Sequence, residues 1–329
     1  MIKRLSIILI LLACFWSNLG AQTSVEEYYQ FDSIYKTTLG YYNRGLYHKA
    51  ALCPESLAEN RYVNATTNYF FARVFSLSNE FDKTLEYIEK AVELGVTKSQ
   101  IEKMYDLDGF RESNLNIVYE MNYDKWHQEY LLSQENVQLD SVYIKEIRKI
   151  RKDYSNKLKL RKIEGDEIIW VEDSTNYYLT TKKLDSLSFH AIVDLTLEKG
   201  FPTTKTIGKD YYWYSRILRY NMPVEYDENC DDWKKIKKSI HAEMKKGTVY
   251  PFYYAAIEDN LKVSRKQPQI YGTIPVVYSG NKDVSDVLQF ENPEELNIRR
   301  RVIGLCSIQL ELWSQARELP KSLKGVQFK

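Results

Sequence analysis

The chain reads as mainly α: helical hairpins at the front, then a helix-rich domain with one small β-hairpin. Three observations predict this. Apolar residues recur at helical spacing through most of the 329 residues, one set of them returns 34 positions later, and a single later stretch alternates convincingly like a strand. The composition, 44% hydrophobic and 28% charged, excludes collagen-like, low-complexity and multi-span membrane classes.

Met1–Ala21 has the layout of an export signal. Lys3 and Arg4 precede an apolar run from Leu5 to Trp16, and Gly20-Ala21 offers a small-residue exit. Its removal leaves 44 Lys and Arg against 45 Asp and Glu. The predicted location is the periplasm or the extracellular space. Leu11-Leu12-Ala13-Cys14 also resembles a lipobox, so the alternative is an outer-membrane lipoprotein tethered through Cys14. With Cys14 inside the signal, Cys53, Cys230 and Cys306 remain, and three thiols cannot all pair within one chain. A single disulfide stays open.

Residues 22–138 are expected to form stacked helical hairpins. Tyr41, Tyr47, Ala50 and Leu57 return as Phe75, Phe81, Thr84 and Ala91. In the second copy Phe71, Ala72 and Phe75 line one helix and Tyr87, Ile88 and Ala91 line the next, with Gly95 closing it. Pro54 falls where the second helix of the first copy should run, which predicts a bend there. The 34-residue period resembles that of tetratricopeptide helix pairs, which bury their faces only by stacking on neighbours.

Residues 139–183 are read as a basic helix and a connection. Ile144, Ile147, Ile150, Tyr154 and Leu158 form one buried stripe of a helix predicted over Ser141–Lys162, which carries nine Lys and Arg. The near-neutral whole chain and the acidic residues after it make this a solvated face, and no nucleic-acid partner is expected. A short strand is predicted at Ile168–Val171. Residues 184–329 are read as one helix-rich domain. Asp185 caps its first helix, Leu184 staples onto Phe189, and Gly200 ends it. Helices follow over about Asp210–Tyr220, Asp231–Gly247 and Tyr253–Leu261, then near Pro293–Arg301 and Ser307–Glu318. The hairpin pairs Ile270–Tyr278 with Val287–Phe290.

Catalytic motifs are missing: no phosphate-binding glycine loop, no G-x-S-x-G and no H-E-x-x-H occurs. No cofactor or metal is expected. Ser186, His190 and Asp194 share a helix face, but one helix spaces them too widely along its axis for a triad. Asp259 is the more informative carboxylate. It stands just before Gln269-Ile270-Tyr271-Gly272-Thr273, where Gln269, Tyr271 and Thr273 would project to one side of an extended chain. Such a trio can grip a polar ligand or fix the junction between helix and hairpin.

Asp185, Gly200-x-Pro202, Ile207-Gly208, Ala256-x-x-Asp259, Gln269-x-Tyr271-Gly272-Thr273, Asn297-x-Arg299-Arg300 and Gly304-Leu305 occur in this order. With them the stretch Asp185–Leu305 resembles a bacterial exported domain family of unknown function that often follows tetratricopeptide helices. The chain departs from the family's pattern in the Asp153–Lys157 segment, at Tyr220 where the family commonly has His, and at Asn260 where it commonly has Arg. The resemblance implies a polar pocket of Asp185, Asp259, Gln269, Tyr271, Thr273, Arg299 and Arg300 in a member that kept binding and lost chemistry. The expectation is a non-catalytic exported protein that binds a protein, peptide or ligand through its helical repeats. The alternative is a hydrolase or transferase with Asp259 as base and Tyr271 as donor.

Overall fold

The computed structural model describes residues 24–57, 59–135, 137–155, 161–164, 167–170, 174–220, 229–274 and 289–329. The expected signal, with Cys14, and the hairpin residues 275–288 lie outside them. The described chain is mainly helical and divides into two compact units. Val25–Val137 joins Pro293–Lys329 in a split unit, and Gln138–Asn292 forms a middle unit. The division therefore differs from the expected domain over 184–329: the last 37 residues pack with the front of the chain.

The split unit opens with helix α1 over residues 24–42, followed by α2, Tyr47–Ala51. Pro54 opens a 3-10 turn that replaces the rest of this second helix, as its missing N–H and fixed φ dictate. The next pair is α3, Ala65–Leu77, and α4, Phe81–Val92. The Asn64 side chain caps α3 by accepting from the Thr67 N–H at 3.1 Å. Phe71, Ala72, Phe75, Tyr87, Ile88 and Ala91 are all buried between or beside the two helices. Short helices α5, Lys98–Glu102, and α6, Asp108–Arg111, lead to α7, Leu115–Glu135.

The spacing is regular. Helices α2, α4 and α7 begin at Tyr47, Phe81 and Leu115, each 34 residues after the last. The turns before them repeat the same bond at the same interval: the N–H of Gly45, Asn79 and Ser113 donates to the carbonyl of Tyr42, Ser76 and Phe110. Gly45 and Asn79 both take φ near +65°, at 70° and 62°, the left-handed geometry that closes a helix and that Gly and Asn tolerate best.

The tail closes on α1. It forms α14, Leu296–Val302, and α15, Ile308–Ser314. Trp313 lies edge-on to Tyr41 at 5.2 Å and under the Arg44 guanidinium at 4.3 Å. Arg44 also donates to the Trp313 carbonyl at 2.7 Å. Gly40 in α1 makes room for the indole, since a Cβ there would overlap the ring.

In the middle unit, α8 runs Ser141–Ser155 and buries Tyr143, Ile144, Ile147 and Ile150. It ends before the predicted Lys162, because Arg161–Glu164 is strand β1, paired antiparallel with β2, Glu167–Trp170. The side chains of Tyr154 and Leu158 lie outside the description. Helix α9 spans Ser174–Lys199, so Asp185 is an interior residue of it and not its cap. No Gly or Pro interrupts 174–199, and a local cap signal cannot stop a helix that nothing upstream breaks. Gly200, at φ 84°, does end it.

Phe189, Ile192 and Val193 of α9 are fully buried, and Thr196 shares a 2.7 Å hydrogen bond with the Tyr214 hydroxyl. Around α9 pack α8, α11, Tyr211–Tyr220, and α12, Asp231–Lys245; the short α10, Thr204–Ile207, precedes α11. Helix α12 buries Trp233, Ile236, Ile240 and Met244, the predicted stripe. Helix α13, Pro251–Ser264, buries both Ile257 and Leu261 and the opposite residues Ala255 and Asp259.

Gly40→Ala tests the closure of the tail. In an open helix interior the change would stabilise by about 1 kcal/mol. Here the added methyl must displace the Trp313 indole, an overpacking cost of roughly 1–3 kcal/mol, so the expected outcome is a lower denaturation midpoint. An unchanged or higher midpoint would contradict the packing described.

Candidate functional site

Asp259 projects from α13 and is fully buried. Its Oδ1 accepts the backbone N–H of Ile270 at 2.7 Å and of Tyr271 at 2.9 Å. Its Oδ2 accepts the N–H and the hydroxyl of Thr273, both at 2.7 Å. Four donors saturate the carboxylate. Burial pushes its carboxyl above the ordinary range, while the donors of Thr273, Tyr271 and Ile270 pull in the opposite direction.

The segment that Asp259 holds is a loop, not the extended strand expected. Gly272 sits at φ 68°, and the N–H groups of Ile270, Tyr271 and Thr273 all turn inward. That turn removes the strand alternation that would have put Gln269, Tyr271 and Thr273 on one face. Gln269 closes the loop from the other side: its Oε1 accepts the Ile274 N–H at 3.0 Å, and its amide donates to the Ile274 carbonyl at 3.4 Å. The Gln269 backbone forms an isolated parallel bridge with Phe290.

The Tyr271 ring lies 6.0 Å from the buried Tyr254, edge to face. Beside them Lys237 donates to Glu258 at 2.6 Å, and the His241 ring meets Tyr254 at 4.3 Å. Burial raises the Glu258 carboxyl and lowers His241, the latter helped by Lys237 and Lys245.

Of the seven predicted pocket residues, the structure ties Asp259, Gln269, Tyr271 and Thr273 together around one loop. Asp185 is half-buried in mid α9. Arg299 and Arg300 belong to the split unit. Ser186 lies inside α9 and not in its first turn, and Asp194 is exposed. The described cysteines Cys53, Cys230 and Cys306 are free thiols.

Arg300 is the anchor of a second polar cluster. It is fully buried and donates to the Cys306 carbonyl at 2.6 Å and to Glu311 at 3.3 Å. Lys36 of α1 reaches Glu311 at 2.7 Å, and Asp32 of α1 accepts the Cys306 N–H at 2.8 Å. Burial pushes the Glu311 carboxyl up, but Lys36 and Arg300 more than offset it and hold it below its ordinary value. Burial also works against the charge on Lys36, and there Glu311 and Asp32 prevail, so it stays above its ordinary value. Asp32 ends above its usual range, chiefly through burial.

Asp32, Cys306 and Glu311 bring three ligand-type atoms within 4.8 Å of one another. They do not suit a cation. Two positive side chains already balance the two carboxylates, and burial holds the Cys306 thiol well above its ordinary pKa and therefore neutral. Sequence reading missed this cluster because Lys36 and Glu311 stand 275 positions apart.

Two substitutions follow. Lys36→Met leaves both carboxylates facing one guanidinium in the interior, so it should cost about 3–5 kcal/mol at neutral pH. Without the ammonium those carboxyls take up protons more readily in the folded state, so the deficit against wild type should shrink from pH 7.5 to pH 5 in denaturant melts; a pH-independent deficit would contradict the assignment. Asp259→Ala strands the buried Thr273 N–H, at about 1–3 kcal/mol, and the part-buried N–H groups of Ile270 and Tyr271 at less. Amide exchange at Ile270, Tyr271 and Thr273 should accelerate strongly, and Asp259→Asn, which keeps one acceptor oxygen, should fall between.

Compared with family models, curated proteins and solved structures, the chain finds no match in any of the three.

Proposed function

We propose that this is a non-catalytic, exported binding protein whose tetratricopeptide-like helices of the split unit take an extended peptide segment of a partner. The single observation that carries the reading is the 34-residue recurrence of helix starts at Tyr47, Phe81 and Leu115, with the same turn bond before each. A period of that length is the signature of stacked helix pairs, whose extended surfaces serve recognition. Successive pairs bring the half-exposed Tyr42, Tyr69 and Arg73 together around the buried Asp106. Tyr42 donates to Asp106 at 2.6 Å, Arg73 donates to the same carboxylate oxygen at 2.7 Å, and Tyr69 lies four residues before Arg73 on α3. Tyr and Arg are the residue types that most often dominate binding energy.

Support for binding over hydrolysis or transfer comes from Asp259. A general base needs a free lone pair within reach of a substrate proton, and both Asp259 oxygens already carry two donors in a fully buried place. The test is selection of a displayed random-peptide library on the full chain, followed by affinity measurement of the enriched peptides. Tyr69→Ala, which leaves the Arg73–Asp106 pair intact, should weaken them by at least about tenfold while leaving the melting transition in place. Failure to enrich any peptide, or unchanged affinity in the variant, overturns the reading.

A further inference from the structure

Helix α8 turns four apolar residues inward and presents Lys145, Arg148, Lys149, Arg151 and Lys152 to solvent. Two of the five are engaged. Arg148 pairs with the nearly buried Asp210 at 3.0 Å, and the Arg151 guanidinium stacks 4.4 Å over the Trp213 ring. Lys145, Lys149 and Lys152 form no ion pair among the described residues and follow one another by four and then three positions, so they share one face. The helix also exposes aliphatic surface beside that charge. Val142 is 56% and Leu139 38% exposed, and a hollow of about 340 Å³ at the first turn is lined by Leu139, Ser141, Ile144, Lys145 and Arg148.

We propose that this face of α8 docks the protein peripherally on an anionic bilayer surface. Phosphate headgroups complement these three ammonium groups, and each Lys near such a surface adds about fivefold in affinity. The aliphatic component selects the bilayer over other polyanions. Leu139 and Val142 gain by entering the headgroup–acyl boundary, whereas a nucleic-acid backbone offers them nothing. The hollow gives one headgroup a seat with an aliphatic floor and a basic rim. No described helix is long and apolar enough to cross a membrane, so the contact would be one of lying on the surface.

The experiment is co-sedimentation of the full chain with vesicles of phosphatidylglycerol and phosphatidylcholine, against pure phosphatidylcholine, at low and at high salt. Binding should require phosphatidylglycerol and weaken with salt. Lys145→Glu/Lys149→Glu/Lys152→Glu should lose at least about tenfold, with its thermal transition retained because all three sites are exposed. Should charge reversal unfold the protein, Lys149→Gln/Lys152→Gln carries the same test with an expected loss of about fivefold or more. Val142→Ser should weaken vesicle binding and leave any binding to duplex DNA unchanged. Equal binding to both vesicle types overturns the proposal, as does full binding by a folded variant. So does tighter binding to DNA that ignores Val142→Ser.

Discussion

Three buried charges and the largely covered Lys36, on three helices, hold the beginning and the end of the split unit together. Asp32 and Lys36 come from α1, Arg300 from α14 and Glu311 from α15, and their charges sum to zero. Removing charge from water is costly, and only mutual pairing with further hydrogen bonds offsets it. Gln315 and the Cys306 backbone supply those bonds. The network joins the Asp32–Lys36 turn of α1 to Arg300, Cys306 and Glu311 of the tail. Trp313 on Gly40 fixes the same match, because a Cβ at that position would overlap the indole.

The middle unit uses a buried carboxylate in a related way. Asp259 replaces a missing secondary-structure partner for three N–H groups of a turn that Gly272 makes possible. In both units a residue type usually associated with chemistry serves architecture. Titratable groups inside a protein are therefore ambiguous until their partners are counted. Asp259 has four donors, which fill its acceptor sites, and Glu311 has three.

Helix starts in the split unit keep a common spacing although the helices themselves differ in length. Pro54 cuts α2 short, and the stretch before α7 is divided between α5 and α6. The start positions and turn bonds still keep step at 34 residues. The tail supplies α1 with packing partners in Trp313 and Glu311.

Local signals in the sequence determined the helices whose stripes and stops are contiguous. The buried face of α12, the Gly200 stop, the inward stripe of α8 and the bend at Pro54 all follow from spacing and backbone chemistry within about one or two turns. The apolar positions Tyr47 and Phe81, 34 apart, were legible as well, and each starts a helix. Three features were not. Asp185 carried a cap signal but stands inside a longer helix, because a cap forms only where the preceding residues are not already helical. Gln269–Thr273 alternated like a strand but wraps a carboxylate, because a buried acceptor outweighs pairing preference. Arg300 was visible as a charged candidate, while its partners lay up to 275 residues away in sequence from one another. Which charges meet in the interior depends on where distant helices pack, and no local pattern encodes that.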